Sequence, residues 1–479
     1  MDIENVVINT DLYQLTMMQG YFLKGKNKPA TFDMFYRSNP FKGSYCIFAG
    51  LEDVVSGITR MRFTERQIRY LGRTKLFSDE FLAYLRDFRF TGEVYSVNEG
   101  EVVFPNEPLI RVTAPMIQAQ LVETYILNCV NYPTLVATKA NRMVNVIQGN
   151  SLLEFGLRRA PGMEAGLSAS RSAFIGGFQA TSNVLAGYEY DIPIKGTQAH
   201  SWIMSFDTEL EAFQAYADTY PDACLLLVDT YNTLKQGVPN AIEVLAKLKA
   251  DGHVPIGIRI DSGDLEYLSK EARAMLDEAG LFEAKICVSN DLDEYIIDQL
   301  LNRDAPIDIF GVGTSLVTTK GKSSLGGVYK LVENEGKPVI KISDNIEKIT
   351  NPGRKQIVRF FDKEKQALAD VLMLEDEVVA LKEQEVKNVV VYHPAYEHQF
   401  TDVKYDSYRE LLQLQIQNGM SMCERGTLQM IQNYSKKRLD SFHDTYKRLW
   451  NPHSYKVGLS TGLSSLKNKL LNERGTRDE

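Results

Sequence analysis

Cysteine is scarce and scattered: Cys46, Cys129, Cys224, Cys287 and Cys423 are the five in 479 residues, and no two form a C-x-x-C pair. That spacing argues against a disulfide framework and against a thiolate metal centre, and it fits a reducing cytoplasm, the expected location. No apolar run approaches the ~18 residues that a membrane helix needs. The first residues, MDIENVVINTD, are acidic where a signal peptide would be basic and then apolar. A soluble protein with no membrane partner is therefore expected. Positive charge is also in deficit, with 54 Lys and Arg against 62 Asp and Glu and a net charge of −8. This excludes broad electrostatic binding of nucleic acid or anionic membranes but leaves room for a small basic pocket. There is no repeat of fixed period and no low-complexity segment.

The remaining composition is that of an ordinary globular protein, 44% apolar and 24% charged. Its length is beyond the size at which a single core stops growing, so two or three domains are expected. Four stretches run an apolar strand into a cluster of polar and small residues: LLLVDTYNT (225–233), IGIRIDSGD (256–264), ICVSND (286–291) and DIFGVGTSL (308–316). Their β-branched and Leu-rich character suits strands buried on both faces. Amphipathic helical sequence lies between them, as in NAIEVLAKLKADG (240–252). Repeated strand–loop–helix units build a parallel sheet with its ligand site at the strands' C-terminal ends, and either a barrel or an open doubly wound sheet satisfies the pattern. Four polar strand ends imply one pocket built by many loops, and so an enzyme.

Elsewhere the chain divides as follows. Residues 9–23 read as a helix with Asp11 as N-cap and Gln14 in capping-box spacing. Residues 64–88 read as helical, and 90–113 alternate as antiparallel strands. Together these make 1–115 an antiparallel α+β module. The region 116–335 starts with a long helical stretch (116–148) and a strand at 152–159, then carries the α/β alternation and the site. The region 336–479 begins with strand-like runs returning to the N-terminal module. Its final hundred residues read as mostly helical, with a frayed polar end at NERGTRDE.

Four local patterns carry chemistry. GTQAHSW places His200, one of only six histidines, between a glycine turn and Trp202. It is a candidate nucleophile or acid–base group, although a lone histidine is more often structural. RIDSGD sets Arg259 and Asp261 two apart on one strand, hence on one face, with Asp264 three further on. Such a pair can hold an anionic substrate together with a sugar diol or Mg²⁺, or it can be a plain ion pair. FGVGTSLV offers free backbone N–H groups suited to a phosphate. It is neither a dinucleotide fingerprint nor, with GKS at 321–323, a P-loop, because Leu316 stands where both need glycine. Arg158 and Arg159 follow a strand and can clamp an oxyanion bidentately or sit solvated at the surface. Lys195, in an irregular loop, is the one lysine placed near a strand end, which disfavours Schiff-base chemistry. The sum is a parallel α/β enzyme acting on a phosphorylated, anionic small molecule.

At TDLYQLTM (10–17), EFGLRRA (154–160), GTQAHSW (196–202), IRIDSGD (258–264) and GVGTSLVT (311–318) the chain resembles the nicotinate phosphoribosyltransferases. The five segments lie in order across nearly the whole chain and are highly specific together. The resemblance implies an irregular (β/α) barrel with an N-terminal α/β sandwich, in a head-to-tail homodimer whose active sites are shared between subunits. It implies ATP-coupled transfer of phosphoribose from 5-phosphoribosyl 1-pyrophosphate to nicotinate, with Mg²⁺ as cofactor and ATP as co-substrate. His200 would be phosphorylated. Thr197 and Arg259 would line the nicotinate site, the arginine facing the carboxylate. Phe155 and, from the partner subunit, Tyr13 would stack on the pyridine ring. Asp261 would contact a ribose hydroxyl, Gly313 and Thr314 the 5′-phosphate, and Arg158 the pyrophosphate. Asp229 would hold Mg²⁺ through water.

Nicotinamide phosphoribosyltransferases resemble the chain too, but carry Asp where FQATSN here has Ser182. A serine hydroxyl can donate to the nicotinate carboxylate that an Asp would repel, so the acid is the expected substrate. Quinolinate transferases would need a denser basic pocket than any found here. A catalytically dead barrel that only binds nucleotide is disfavoured by the presence together of His200, Arg259, Asp261 and Thr314.

Overall fold

The computed structural model describes residues 3–383, 387–396, 398–422 and 426–475, and the chain forms two compact units. The central unit is Lys139–Ser323; the terminal unit combines Met1–Thr138 with Ser324–Glu479. Both breaks differ from the boundaries expected at 115/116 and 335/336. At the first, Ile117, Leu121, Ile126 and Val130 are buried in the same core as Phe32 and Ile110, which holds 116–138 to the terminal unit. At the second, Val328–Asn334 pairs antiparallel with Pro29–Phe35.

In the central unit six strands form one sheet: β1 (Ser151–Glu154), β2 (Ala180–Thr181), β3 (Leu225–Leu227), β4 (Gly257–Ile260), β5 (Lys285–Ser289) and β6 (Ile309–Val312). Its order is β2-β1-β6-β5-β4-β3, and every pairing is parallel. Each pairing except one joins strands consecutive in the chain; the exception joins first to last, Ser151 opposite Ile309. The order is thus cyclic. It is left open on one side, since no ladder joins β2 to β3 among the described residues.

Leu226, Ile258, Ile260, Ile286, Val288 and Phe310 are fully buried, each stabilising the sheet by about 1.5–3 kcal/mol. Gly257 has φ of +142° and a side chain there would meet the Lys285 carbonyl oxygen at 2.0 Å, so glycine permits the approach of β4 to β5. The connecting helices start on side-chain caps. Asp264 Oδ1 accepts from the Tyr267 N–H (3.1 Å) and Asp293 Oδ1 from the Ile296 N–H (3.1 Å).

The terminal unit contains a seven-stranded sheet, a six-stranded sheet and a two-stranded ribbon. In the larger sheet Pro29–Phe35 lies between Ile110–Pro115 and Val328–Asn334, and Gln413–Gln417 pairs with Glu93–Ser96. Residues from both ends of the chain therefore share one sheet. The six-stranded sheet contains Lys355–Phe361 and Ala367–Leu374 with the later Asn388–Tyr392, Phe400–Lys404, Ser407–Glu410 and Val457–Leu459.

Three expectations need correction here. The final hundred residues are not mostly helical, because strands fill much of the stretch from Asn388 to Ser421 before the helices Leu428–Leu439 and Thr461–Gly475. The alternation LQLQIQ (412–417) has the period of a strand, and Gln413–Gln417 pairs with Glu93–Ser96. The polar end is helical to Gly475, and 476–479 lie outside the described residues. No capping box forms at Asp11. The helix is Leu12–Leu23, Gln14 Nε2 donates to Glu123 Oε2 (3.0 Å), and Asp11 Oδ2 accepts from Thr124 Oγ1 (2.9 Å).

Buried charges tie the terminal unit together. Arg359, 0% exposed, donates to Asp370 (Nη2–Oδ2 2.6 Å) and to Glu101 (Nη1–Oε1 2.7 Å). Its guanidinium carbon stands 4.9 Å from the Phe442 ring centroid and 5.6 Å from that of Phe104. Arg409 and Tyr434 also donate to Glu101.

Candidate active site

The C-terminal ends of β1, β3, β4 and β5 bring together residues far apart in sequence. Arg259 on β4 is held at three points: Nε donates to Ser289 Oγ, Nη1 to Thr197 Oγ1 and Nη2 to Asp261 Oδ1, each at 2.9 Å. Ser289, the last residue of β5, also donates to Asp261 Oδ1. The guanidinium plane is thereby fixed and two of its five N–H groups remain for a ligand. Phe155, just past β1, has its ring centroid 5.8 Å from the guanidinium carbon. A side chain at Gly311 would meet that ring at 2.5 Å, so the aromatic lies against bare backbone of β6.

Asp229 connects this cluster to His200. Its Oδ1 stands 3.3 Å from His200 Nε2, while Oδ2 accepts from the Asp261 backbone N–H (3.0 Å) and from Ser262 Oγ (2.5 Å). The Asp229 side chain is buried and the His200 side chain 40% exposed, so the imidazole is oriented from behind and open in front. Glu209 is buried nearby; burial, reinforced by the charge of Asp229, holds its carboxyl above the usual range.

Below Phe155, Glu154 accepts from Ser170 Oγ (2.9 Å), Thr181 Oγ1 (2.6 Å) and the Gly156 N–H. This buried carboxylate locks the turn after β1 to β2. Gly313 and Thr314 form the turn after β6, where the short helix Thr314–Val317 leaves its first amides without intrahelical acceptors. Phe155 N–H donates to the Val312 carbonyl (2.8 Å), placing that turn beside the aromatic.

Phe155, Thr197, His200, Asp229, Arg259 and Asp261 thus converge. Ser182 follows β2 with its backbone N–H on the Glu154 carbonyl (2.9 Å) and is exposed. Arg158 lies exposed in the turn Leu157–Arg159, outside the hydrogen-bonded cluster. Asp264 caps a helix, so its place in RIDSGD reflects helix initiation. Tyr13 belongs to the terminal unit, in the first turn of Leu12–Leu23, and is 46% exposed. Ser289, Ser262 and Glu154 were not singled out from sequence; ICVSND and RIDSGD were marked as polar strand ends, the one signal that pointed to the two serines.

Among the described residues no three His, Cys, Asp or Glu side chains cluster as metal ligands. Asp229 and Asp261 nonetheless supply the hard oxygen atoms Mg²⁺ takes, and with both Asp229 oxygens already accepting hydrogen bonds the fit is to a hydrated ion. No helix is long and apolar enough to cross a membrane among the described residues.

Known proteins match this chain over nearly its full length. Family models for nicotinate phosphoribosyltransferase match residues 8–131 (N-terminal domain), 150–384 (the family) and 354–467 (C-terminal domain). The chain is 43% identical to the nicotinate phosphoribosyltransferase of Bacillus subtilis (strain 168), covering 99% of this chain and 97% of that one. It is 38% identical to the Caenorhabditis elegans enzyme, with 95% and 91% covered. The crystal structure of human nicotinic acid phosphoribosyltransferase aligns with a TM-score of 0.85 at 30% identity, covering 96% of this chain and 99% of that one.

Proposed function

The chain belongs to the nicotinate phosphoribosyltransferase family, and from that premise we propose that it transfers phosphoribose from 5-phosphoribosyl 1-pyrophosphate to nicotinate. The products are nicotinate mononucleotide and pyrophosphate, coupled to hydrolysis of ATP to ADP and phosphate, as the first step of NAD salvage from nicotinate. The cyclic strand order supports reading the central unit as an irregular α/β barrel and the terminal unit as its sandwich.

The observation that carries this reading is the immobilised guanidinium of Arg259, with two N–H groups to spare beside the Phe155 ring. A planar pyridine carboxylate fits both: the ring against Phe155, the carboxylate on the free N–H pair. Asp261 spends Oδ1 on Arg259 and Ser289, which leaves Oδ2 for a ribose hydroxyl. The amides after Gly313 receive the 5′-phosphate, Arg158 the pyrophosphate, and Ser182 a further nicotinate contact. The pyridine nitrogen is then aimed at ribose C1 as pyrophosphate departs. Mg²⁺, held through water by Asp229, would neutralise the departing charge.

His200 serves as the phosphate acceptor. With its Nε2 proton donated to Asp229, the Nδ1 lone pair faces outward as the nucleophile. His200→Ala should therefore abolish the acid-labile phosphoenzyme and ATP hydrolysis while slow, ATP-independent nucleotide formation survives. Phosphoenzyme persisting in that variant would remove His200 from the role. Product analysis with nicotinate, the phosphoribosyl donor and ATP, omitting each in turn, tests the whole reaction. A rate indifferent to ATP rules out coupling, and nicotinamide used as readily as nicotinate rules out the stated substrate.

Tyr13 is proposed to complete the site from the partner subunit of a homodimer. Mixing Tyr13→Ala with His200→Ala protein under subunit exchange should restore activity to about a quarter of wild type, because half the dimers are mixed and each holds one intact site. Verified exchange without recovery places Tyr13 outside the partner's site.

A further inference from the structure

The terminal unit holds a cavity of about 900 Å³, lined only by its own residues and taking no part in the chemistry above. A volume of that order accommodates a nucleotide-sized molecule. Lys467, 7% exposed, is in its wall. Its Nζ donates to Asn351 Oδ1 (3.0 Å) and to the Pro394 carbonyl (2.8 Å), which uses two of three N–H groups. No carboxylate pairs with it among the described residues.

The other buried cations among the unit's described residues are all compensated. Lys355 pairs with Asp33 (2.7 Å), Arg111 with Glu375 (2.7 Å), and Arg359 with Asp370 and Glu101. Lys467 is the exception. Burial, with Lys355 adding to it, pulls its ammonium down to about 8, so at neutral pH the group still carries most of a charge. An uncompensated buried ammonium is costly. Asp33, the single carboxylate in the described lining, gives Oδ2 to Lys355, and its buried Oδ1 has no hydrogen-bond partner.

The wall therefore presents a buried cation lacking an anion and an acceptor lacking a donor, and Arg37, whose Nε is buried without a partner, adds a further positive charge to it. We infer that this cavity binds a small phosphate ester carrying hydroxyl groups, its phosphate on Lys467 and a hydroxyl on Asp33 Oδ1. Inorganic phosphate shares half of that chemistry and serves as the comparison.

Calorimetry of the full chain with ribose 5-phosphate and with inorganic phosphate tests the assignment. A class of ribose 5-phosphate sites should persist in the double variant Asp261→Ala/Gly313→Val, which removes the ribose and 5′-phosphate contacts of the transfer site, and vanish when Lys467→Met is added. Retention of that class when Lys467→Met is added overturns the site, and equally tight inorganic phosphate overturns the Asp33 contact. Should Lys467→Met fail to fold, reductive methylation of wild-type protein, read by peptide mass, decides the same question. Bound ester raises the ammonium's pKa, and one unit makes Lys467 about tenfold slower to react; an unchanged rate at saturating ester overturns the proposal.

Discussion

Arg259→Lys should lower kcat/KM for nicotinate by roughly 30- to 1000-fold, or about 2–4 kcal/mol of transition-state stabilisation, although charge is kept. The guanidinium makes three simultaneous hydrogen bonds, to Ser289, Thr197 and Asp261, and still has a pair of N–H groups to offer. An ammonium has three N–H groups in all and no plane, so it cannot hold the cluster and a carboxylate together. Steady-state kinetics with nicotinate as the varied substrate measures the loss, with thermal unfolding as the control for fold. A kcat/KM within threefold of wild type would show that Arg259 does not touch the substrate.

Arg359→Met should cost about 3–5 kcal/mol of folding stability, the cost of breaking a buried pair by removing one partner. It strands Asp370 and one oxygen of Glu101 in a fully buried setting. The pH dependence identifies the cause. In the intact protein burial would raise the Glu101 carboxyl, but Arg359 and Arg409 outweigh it and lower it to about 2. A depressed folded pKa gives stability that is present above the unfolded value, near 4.5, and lost as pH falls towards 2. Without Arg359 the stranded carboxylates gain by protonation instead, so the variant's deficit should narrow as pH falls through about 4. Denaturant titrations at pH 7 and pH 4 check this. A deficit that does not change with pH would assign the loss to packing against Phe104 and Phe442.

The parallel sheet and much of its site were legible because both depend on short-range rules. Strands buried on both faces read as apolar runs, and their polar ends mark where loops gather. Arg259 and Asp261 share a face because side chains alternate along a strand, and they do form the 2.9 Å pair. The glycine and serine pattern after residue 310 identified the turn at Gly313 in the same way.

What the local rules could not supply was every partnership made across the sheet. His200 meets Asp229, and Arg259 meets Ser289 and Thr197, over separations of 29, 30 and 62 residues. Strand order alone decides which loops adjoin, and strand order is a property of the assembled sheet. The same cause misled the reading of the C-terminal hundred residues, where Gln413–Gln417 is received by an edge built from residues 93–96 and Asn388–Tyr392, Phe400–Lys404 and Ser407–Glu410 join the six-stranded sheet. Periodicity along the chain sets which face a residue presents; only the long-range pairing of strands, whose free energy no local window contains, sets what that face meets.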